Sequence, residues 1–192
     1  VNWKHSLPYF SLFALLAFFI SAANAQEHYR LDPASSQVHF SLEATGHAVE
    51  GTFNISSGDI SFNASSGTIS GKIAVDAASG NSNNKSRDKK MNADQLKVSD
   101  FPLISFAPLK YTGTLNPTGD STIQVEGSFT LIGQEHALSV PMTIHREGNK
   151  CTANGSFSVP FISWGVKDPS IMFAKVGKEV KIDLKLNGTT GQ

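Results

Sequence analysis

Cys151 is the only cysteine in this 192-residue chain. One thiol cannot close an internal disulfide, so the folded state must rest on a packed interior. Cys151 sits in the alternating stretch Lys150–Asn154 with no adjacent base, which reads as a strand residue and not as an activated nucleophile. An excess of charge of either sign is also missing, since 16 Lys and Arg balance 16 Asp and Glu. Nothing in that balance marks a nucleic-acid surface or a basic clamp for anionic lipid. No His-Glu-x-x-His, Gly-x-Ser-x-Gly or phosphate-binding glycine loop occurs. His39 and His47 would need a third ligand from another strand to hold a metal, and hydrogen-bonded surface histidines are the simpler reading. Acid pairs such as Asp94 with Asp100, or Asp88 with Asp168, lack any spacing that enforces catalytic separation, so no catalytic residue is assigned.

Only one long apolar run is present. Ser11 to Ile20 follows Lys4 and His5 and ends in Ala23-Asn24-Ala25, the small-x-small pattern of a signal-peptidase site. The run is too short to remain as a spanning helix. The expectation is export with cleavage between Ala25 and Gln26, placing the protein in the periplasm or, alternatively, outside the cell. Removing 25 of 192 residues leaves 167, read as one domain over 26–192, with a net charge of −1 once Lys4 is gone.

From Gln37 onward the apolar residues recur at every second position, the period of a strand with one buried face. Val38-x-Phe40-x-Leu42 opens the series. Ile69 to Val75, Leu109 to Leu115, Ile123 to Leu131, Leu138 to Ile144, Cys151 to Val159 and Val180 to Leu186 continue it. Turn residues such as Ser65-Ser66-Gly67, Asn116 to Asp120 and Gly148-Asn149 separate the runs, so neighbours should pair as antiparallel hairpins. About ten extended segments are visible, some of them halves of bent strands. A closed antiparallel barrel of about eight strands hides both the apolar face and the edges; a two-sheet sandwich is the alternative. Gly71, Gly113, Gly127 and Gly155 suit sharp curvature. Residues 86–96 predict one short helix capped by Ser86, with Met91 and Leu96 packing inward. Phe161 to Lys175 reads as a late insertion, too irregular for a strand and rich in apolar side chains.

Six segments in order resemble the YceI-like family of periplasmic polyisoprenoid-binding proteins. They are Tyr29 to Phe40 with its Asp32-Pro33, Gly51-Thr52-Phe53, Asn84 to Met91 with Arg87-Asp88, Phe101-Pro102-Leu103-Ile104-Ser105-Phe106, Gly127 to Gly133, and Trp164 to Ser170. The resemblance implies an all-β, lipocalin-like barrel with an elongated cavity for a long-chain amphiphile, an isoprenoid lipid or quinone-like tail, and no required cofactor. Val98 to Pro102 and Phe161 to Gly165 depart from the family pattern at what would be the barrel mouth.

Phe40, Phe53, Ile73, Val75, Phe106, Phe129, Met142 and Phe157 share the apolar phase of their strands and are expected to line the interior. Trp164, Met172 and Phe173 of the insertion are expected to roof one mouth. Arg87 and Asp88 read as part of a solvated helix face, or alternatively as a clamp on a ligand headgroup. The leading function is carriage of an apolar tail. The competing readings are a cell-envelope docking module that touches membrane or membrane proteins through the 161–173 insertion, with its barrel filled, and an enzyme working on a small lipid-like substrate.

Overall fold

The computed structural model describes residues 26–64 and 66–191. The apolar leader and Ala25 of the expected cleavage site lie outside the described residues, and Gln26 is the first inside them. Ten strands follow in order: β1 (Glu27–Leu31), β2 (Gln37–Ala44), β3 (His47–Phe53), β4 (Ile55–Asn63), β5 (Thr68–Asp76), β6 (Leu103–Gly113), β7 (Gly119–Leu131), β8 (Gln134–Glu147), β9 (Lys150–Val159) and β10 (Val180–Gly191). One short helix, α1 (Lys85–Lys90), stands between β5 and β6.

The strands form a closed antiparallel barrel. The order runs β1-β4-β5-β6-β7-β8-β9-β10, and β10 pairs back onto β1. Strands β2 and β3 are continuations of β1 and β4. A single 3-10 turn, Pro33–Ser35, interrupts the first pair and Asn54 alone interrupts the second. Asp32 caps that turn by accepting from Ala34 N at 3.1 Å. Strand β10 therefore pairs with β2 along Lys181–Lys185 and with β1 along Gly188–Gly191. Ten extended runs thus make eight staves, two of them bent.

Alternation holds along most of the wall because the register matches apolar with apolar, as in Val125 opposite Val140 and Leu186 opposite Ala153. It fails in β6. A bulge between Pro108 and Lys110 adds one residue to the strand and reverses its phase. Tyr111 is buried, whereas Leu109, expected on the same face, is 69% exposed. Gly71 bends β5 at φ +121°, a conformation that suits glycine, with the Asp59 carbonyl crowding the position of any Cβ. Gly127 is needed for a different reason: the Phe106 ring of the adjacent strand lies across it.

The predicted helix starts one residue early and changes character midway. Asn84, not Ser86, is the cap, its Oδ1 accepting from Arg87 N at 3.0 Å. After Lys90 the chain widens into a π turn, Met91–Gln95, which Lys97 ends at φ +49°. Leu96 is buried and Met91 half-buried, as expected.

The two ends of the barrel differ. The hairpins β4–β5, β6–β7 and β8–β9 close one end with short turns. Segments 77–102 and 160–179 form the other, wider end together with the β2–β3 and β7–β8 turns.

Candidate ligand-binding site

The barrel is hollow. No large side chain among the described residues is fully enclosed, because the strands' inward faces border an internal cavity of about 200 Å³. Every atom that this deep chamber exposes is apolar. An outer chamber of about 630 Å³ lies above it, toward the wide end. Phe53, Ile104, Phe129 and Ile182 line both, so these four apolar side chains form a waist between the two.

Of the side chains expected inside, Phe53, Ile73, Val75, Phe106, Phe129, Met142 and Phe157 line the deep chamber, and Phe40 lines the outer one. The rings pack on one another, Phe40 against Phe53 at 5.4 Å and Phe129 edge-on to Phe157 at 6.2 Å. The late insertion behaves differently from the expectation. Trp164 does not line either chamber. It stacks on His136 at 4.2 Å, the rings within 2° of parallel, and leans on Phe129 at 5.7 Å, buttressing the rim. Met172 and Phe173 do not roof the mouth either: they stand 80% and 88% exposed. Ile171, Val166 and Phe161 of the same insertion line the outer chamber instead.

Arg87 and Asp88 are half-buried rather than spread on a solvated face. Both grip Ser82. Arg87 donates from Nε to Ser82 Oγ at 2.7 Å and from Nη2 to Ser82 O at 2.6 Å. Asp88 Oδ1 accepts from Ser82 N at 2.9 Å and from Ser82 Oγ in a still shorter contact. Their first task is to fix the loop that leads into α1. Arg87 also borders the outer chamber, together with Lys90, Asp94, Lys167 and Asp168. Hydrogen bonds from Ser170, and to a lesser degree Lys175 and Lys178, hold the Asp168 carboxyl below its ordinary range, so it is ionised at neutral pH. The outer chamber therefore carries charges of both signs, while the deep one has Arg146 as its one charged lining residue and exposes no polar surface.

Sequence reasoning missed the narrow end. Arg146, only 7% exposed, makes a close ion pair with Glu27, donates from Nη1 to Asn116 O at 3.4 Å and lies 5.8 Å from the centroid of the Phe62 ring. Tyr29 and Cys151 sit beside it. Burial pushes the Tyr29 phenol well up and raises the Cys151 thiol, Arg146 only partly offsetting the second. Both groups are neutral at physiological pH, the opposite of what an activated nucleophile needs. The signal was present in the alternation Val140, Met142, Ile144, Arg146, which carries the arginine inward on its strand's buried phase. Among the described residues, no group of three or more His, Cys, Asp or Glu could hold a metal ion.

The YceI-like domain model matches residues 29–188. The chain belongs to the YceI-like family. A UPF0312 protein of Pseudomonas putida is 25% identical over 187 residues, spanning 91% of this chain and 95% of that one. The crystal structure of Burkholderia cenocepacia BcnA superposes with a TM-score of 0.66 at 21% identity, covering 84% of this chain and 99% of that one. A polyisoprenoid-binding domain from Saccharophagus degradans, implicated in plant cell wall breakdown, gives 0.67 at 12% identity, covering 85% and 98%. A Campylobacter jejuni YceI protein gives 0.59 at 16% identity, covering 75% and 86%. At these identities the solved structures establish the shared fold.

Proposed function

We propose that this protein is an exported carrier that shields the tail of a long-chain amphiphile, an isoprenoid lipid or isoprenoid-quinone-like molecule, in transit through the periplasm. The observation that carries the reading is the change of chemistry between adjoining chambers: the deep one exposes only apolar atoms, and across an apolar waist the outer one is bordered by charged groups of both signs. An amphiphile has the same division. Burying ten methylenes is worth on the order of 8 kcal/mol at about 0.8 each, so a dry tube holds a tail with few hydrogen bonds even after ordering costs. The leader-like first 25 residues and the family's polyisoprenoid-binding member support the location and the cargo class.

A filled barrel acting only as a docking module fits the hollow interior less well. A lipid-modifying enzyme would need a base poised near neutrality in the tube, and the phenols and thiol lining the deep chamber, Tyr29, Tyr111 and Cys151, are shifted away from it. Native mass spectrometry of protein purified from its own host tests the proposal. The expected result is a co-purifying amphiphile whose mass is lost on organic extraction. Protein that emerges empty, and stays empty after incubation with prenol or ubiquinone, overturns it.

A further inference from the structure

Ile171, Met172 and Phe173 are consecutive and stand 69%, 80% and 88% exposed, at the wide end of the barrel. Leu103, another exposed apolar side chain, starts β6 at the same end. Water opposes such exposure, and the loop does not relieve it by folding over the opening because its backbone is tied. Ile171 and Ala174 exchange N–H···O bonds of 3.0 and 3.1 Å, closing a tight turn. The foot of the turn is fastened to the β2–β3 hairpin, where Thr45 N donates to Lys175 O at 2.9 Å and Lys175 N donates to Thr45 Oγ1 at 3.0 Å. Val176 N donates to Ser170 Oγ at 3.0 Å across its base. The result is a pinned apolar tip. Lys167, Lys175 and Lys178 are exposed around it, outnumbering Asp168 and Glu179 in the same loop. Ile171 belongs both to this tip and to the wall of the outer chamber.

We propose that the 171–173 tip inserts into a lipid bilayer and seats the open end of the barrel on it, so that an amphiphile passes between leaflet and tube without crossing water. The inference rests on the carrier reading for its purpose but not for its mechanism. A bilayer is the occupant that fits. Three side chains on one turn cover far less than the roughly 800 Å² per partner that a specific protein interface buries, whether with another protein or a second copy of this chain. Shallow insertion at a membrane interface requires only a few apolar side chains, with cations at the headgroup level.

The test is flotation with vesicles of phosphatidylcholine, with or without phosphatidylglycerol, comparing parent and Met172→Ser/Phe173→Ser protein so that any contribution of the first 25 residues cancels. The double variant should lose about tenfold or more in partitioning. Lys175→Ser/Lys178→Ser should lose about fivefold per lysine on anionic vesicles and little on neutral ones. Unfolding midpoints should stay with the parent's, since the changed side chains are exposed. Native mass spectrometry of the same samples reads cargo separately. A double variant that keeps its cargo but no longer floats supports the wedge. Parent protein that floats while carrying nothing supports it too, and the carrier reading alone falls. Equal flotation of parent and double variant overturns the wedge, as does a dimer of the parent that the double variant splits.

Discussion

Val75→Phe and Phe129→Trp separate a tube from a core. Both positions line the deep chamber, and Phe129 also forms part of the waist. In a packed core, either enlargement would force off-rotamer neighbours and cost about 1–3 kcal/mol. With a chamber of about 200 Å³ in front of them, the added atoms have somewhere to go. The expected stability change is under about 1 kcal/mol, or about 2–4 °C at most in the unfolding midpoint of a domain this size. The cargo bears the cost instead. If the larger ring displaces two to three methylenes, at about 0.8 kcal/mol each, binding weakens by about 2 kcal/mol, roughly thirtyfold. Thermal unfolding and lipid occupancy by native mass spectrometry, on delipidated and reloaded protein, give both numbers from one preparation. Destabilisation by the roughly 1–3 kcal/mol of overpacking, or more, in the lipid-free protein, with occupancy unchanged, would refute the hollow-barrel argument.

At the narrow end, Glu27→Gln leaves Arg146 buried without its counter-charge. Glu27 is itself a quarter exposed, so chemical denaturation should show a loss nearer 2 kcal/mol than the 3–5 of a fully buried pair, and Glu27→Gln/Arg146→Met should recover much of it. Tyr29 has a phenol raised by burial, so the folded state keeps its proton where the unfolded chain loses it; stability is complete below about pH 10 and falls above it. Tyr29→Phe should flatten that alkaline decline in denaturation curves at high pH, and an unchanged slope would contradict the assignment. It should also be nearly neutral at pH 7, because Tyr29 Oη is buried with no hydrogen-bond partner among the described residues. Asn84→Ala removes the α1 cap and should cost about 1 kcal/mol, visible as faster amide exchange over 85–95 before global unfolding.

Most of the barrel was legible because the period-two pattern reports burial directly, and burial on one face with short turns leaves few topologies. The failures have physical causes. Leu109 was misplaced because a bulge leaves no mark on composition; Pro108, which cannot donate to a ladder, was its one local clue. The helix cap moved because Asn84 and Ser86 are both good caps, and the geometry of Ser82 between Arg87 and Asp88 selects between them. Trp164, Met172 and Phe173 could not be sorted by sequence. Whether an apolar loop roofs a mouth or stands clear of it depends here on hydrogen bonds between Lys175 and Thr45, 130 residues apart.

On the proposed carrier function, the same wall chemistry sets which end of an amphiphile would enter first. A head-first cargo would carry its polar group past the waist into a chamber whose exposed atoms are all apolar. Tyr29 and Arg146 are on its wall, but Tyr29 Oη and Arg146 Nε are themselves buried and add no exposed polar surface to it. A hydroxyl or carbonyl stripped of water there loses about 2–7 kcal/mol without compensation, and a phosphate far more. A tail-first cargo gains about 0.8 kcal/mol for each methylene over the same path and leaves its head in the outer chamber, beside Arg87, Lys90 and Lys167. The two orientations therefore differ by more than any single side chain at the mouth supplies. The length of tail that the deep chamber accepts, more than the identity of the head, should set which cargo is held most tightly.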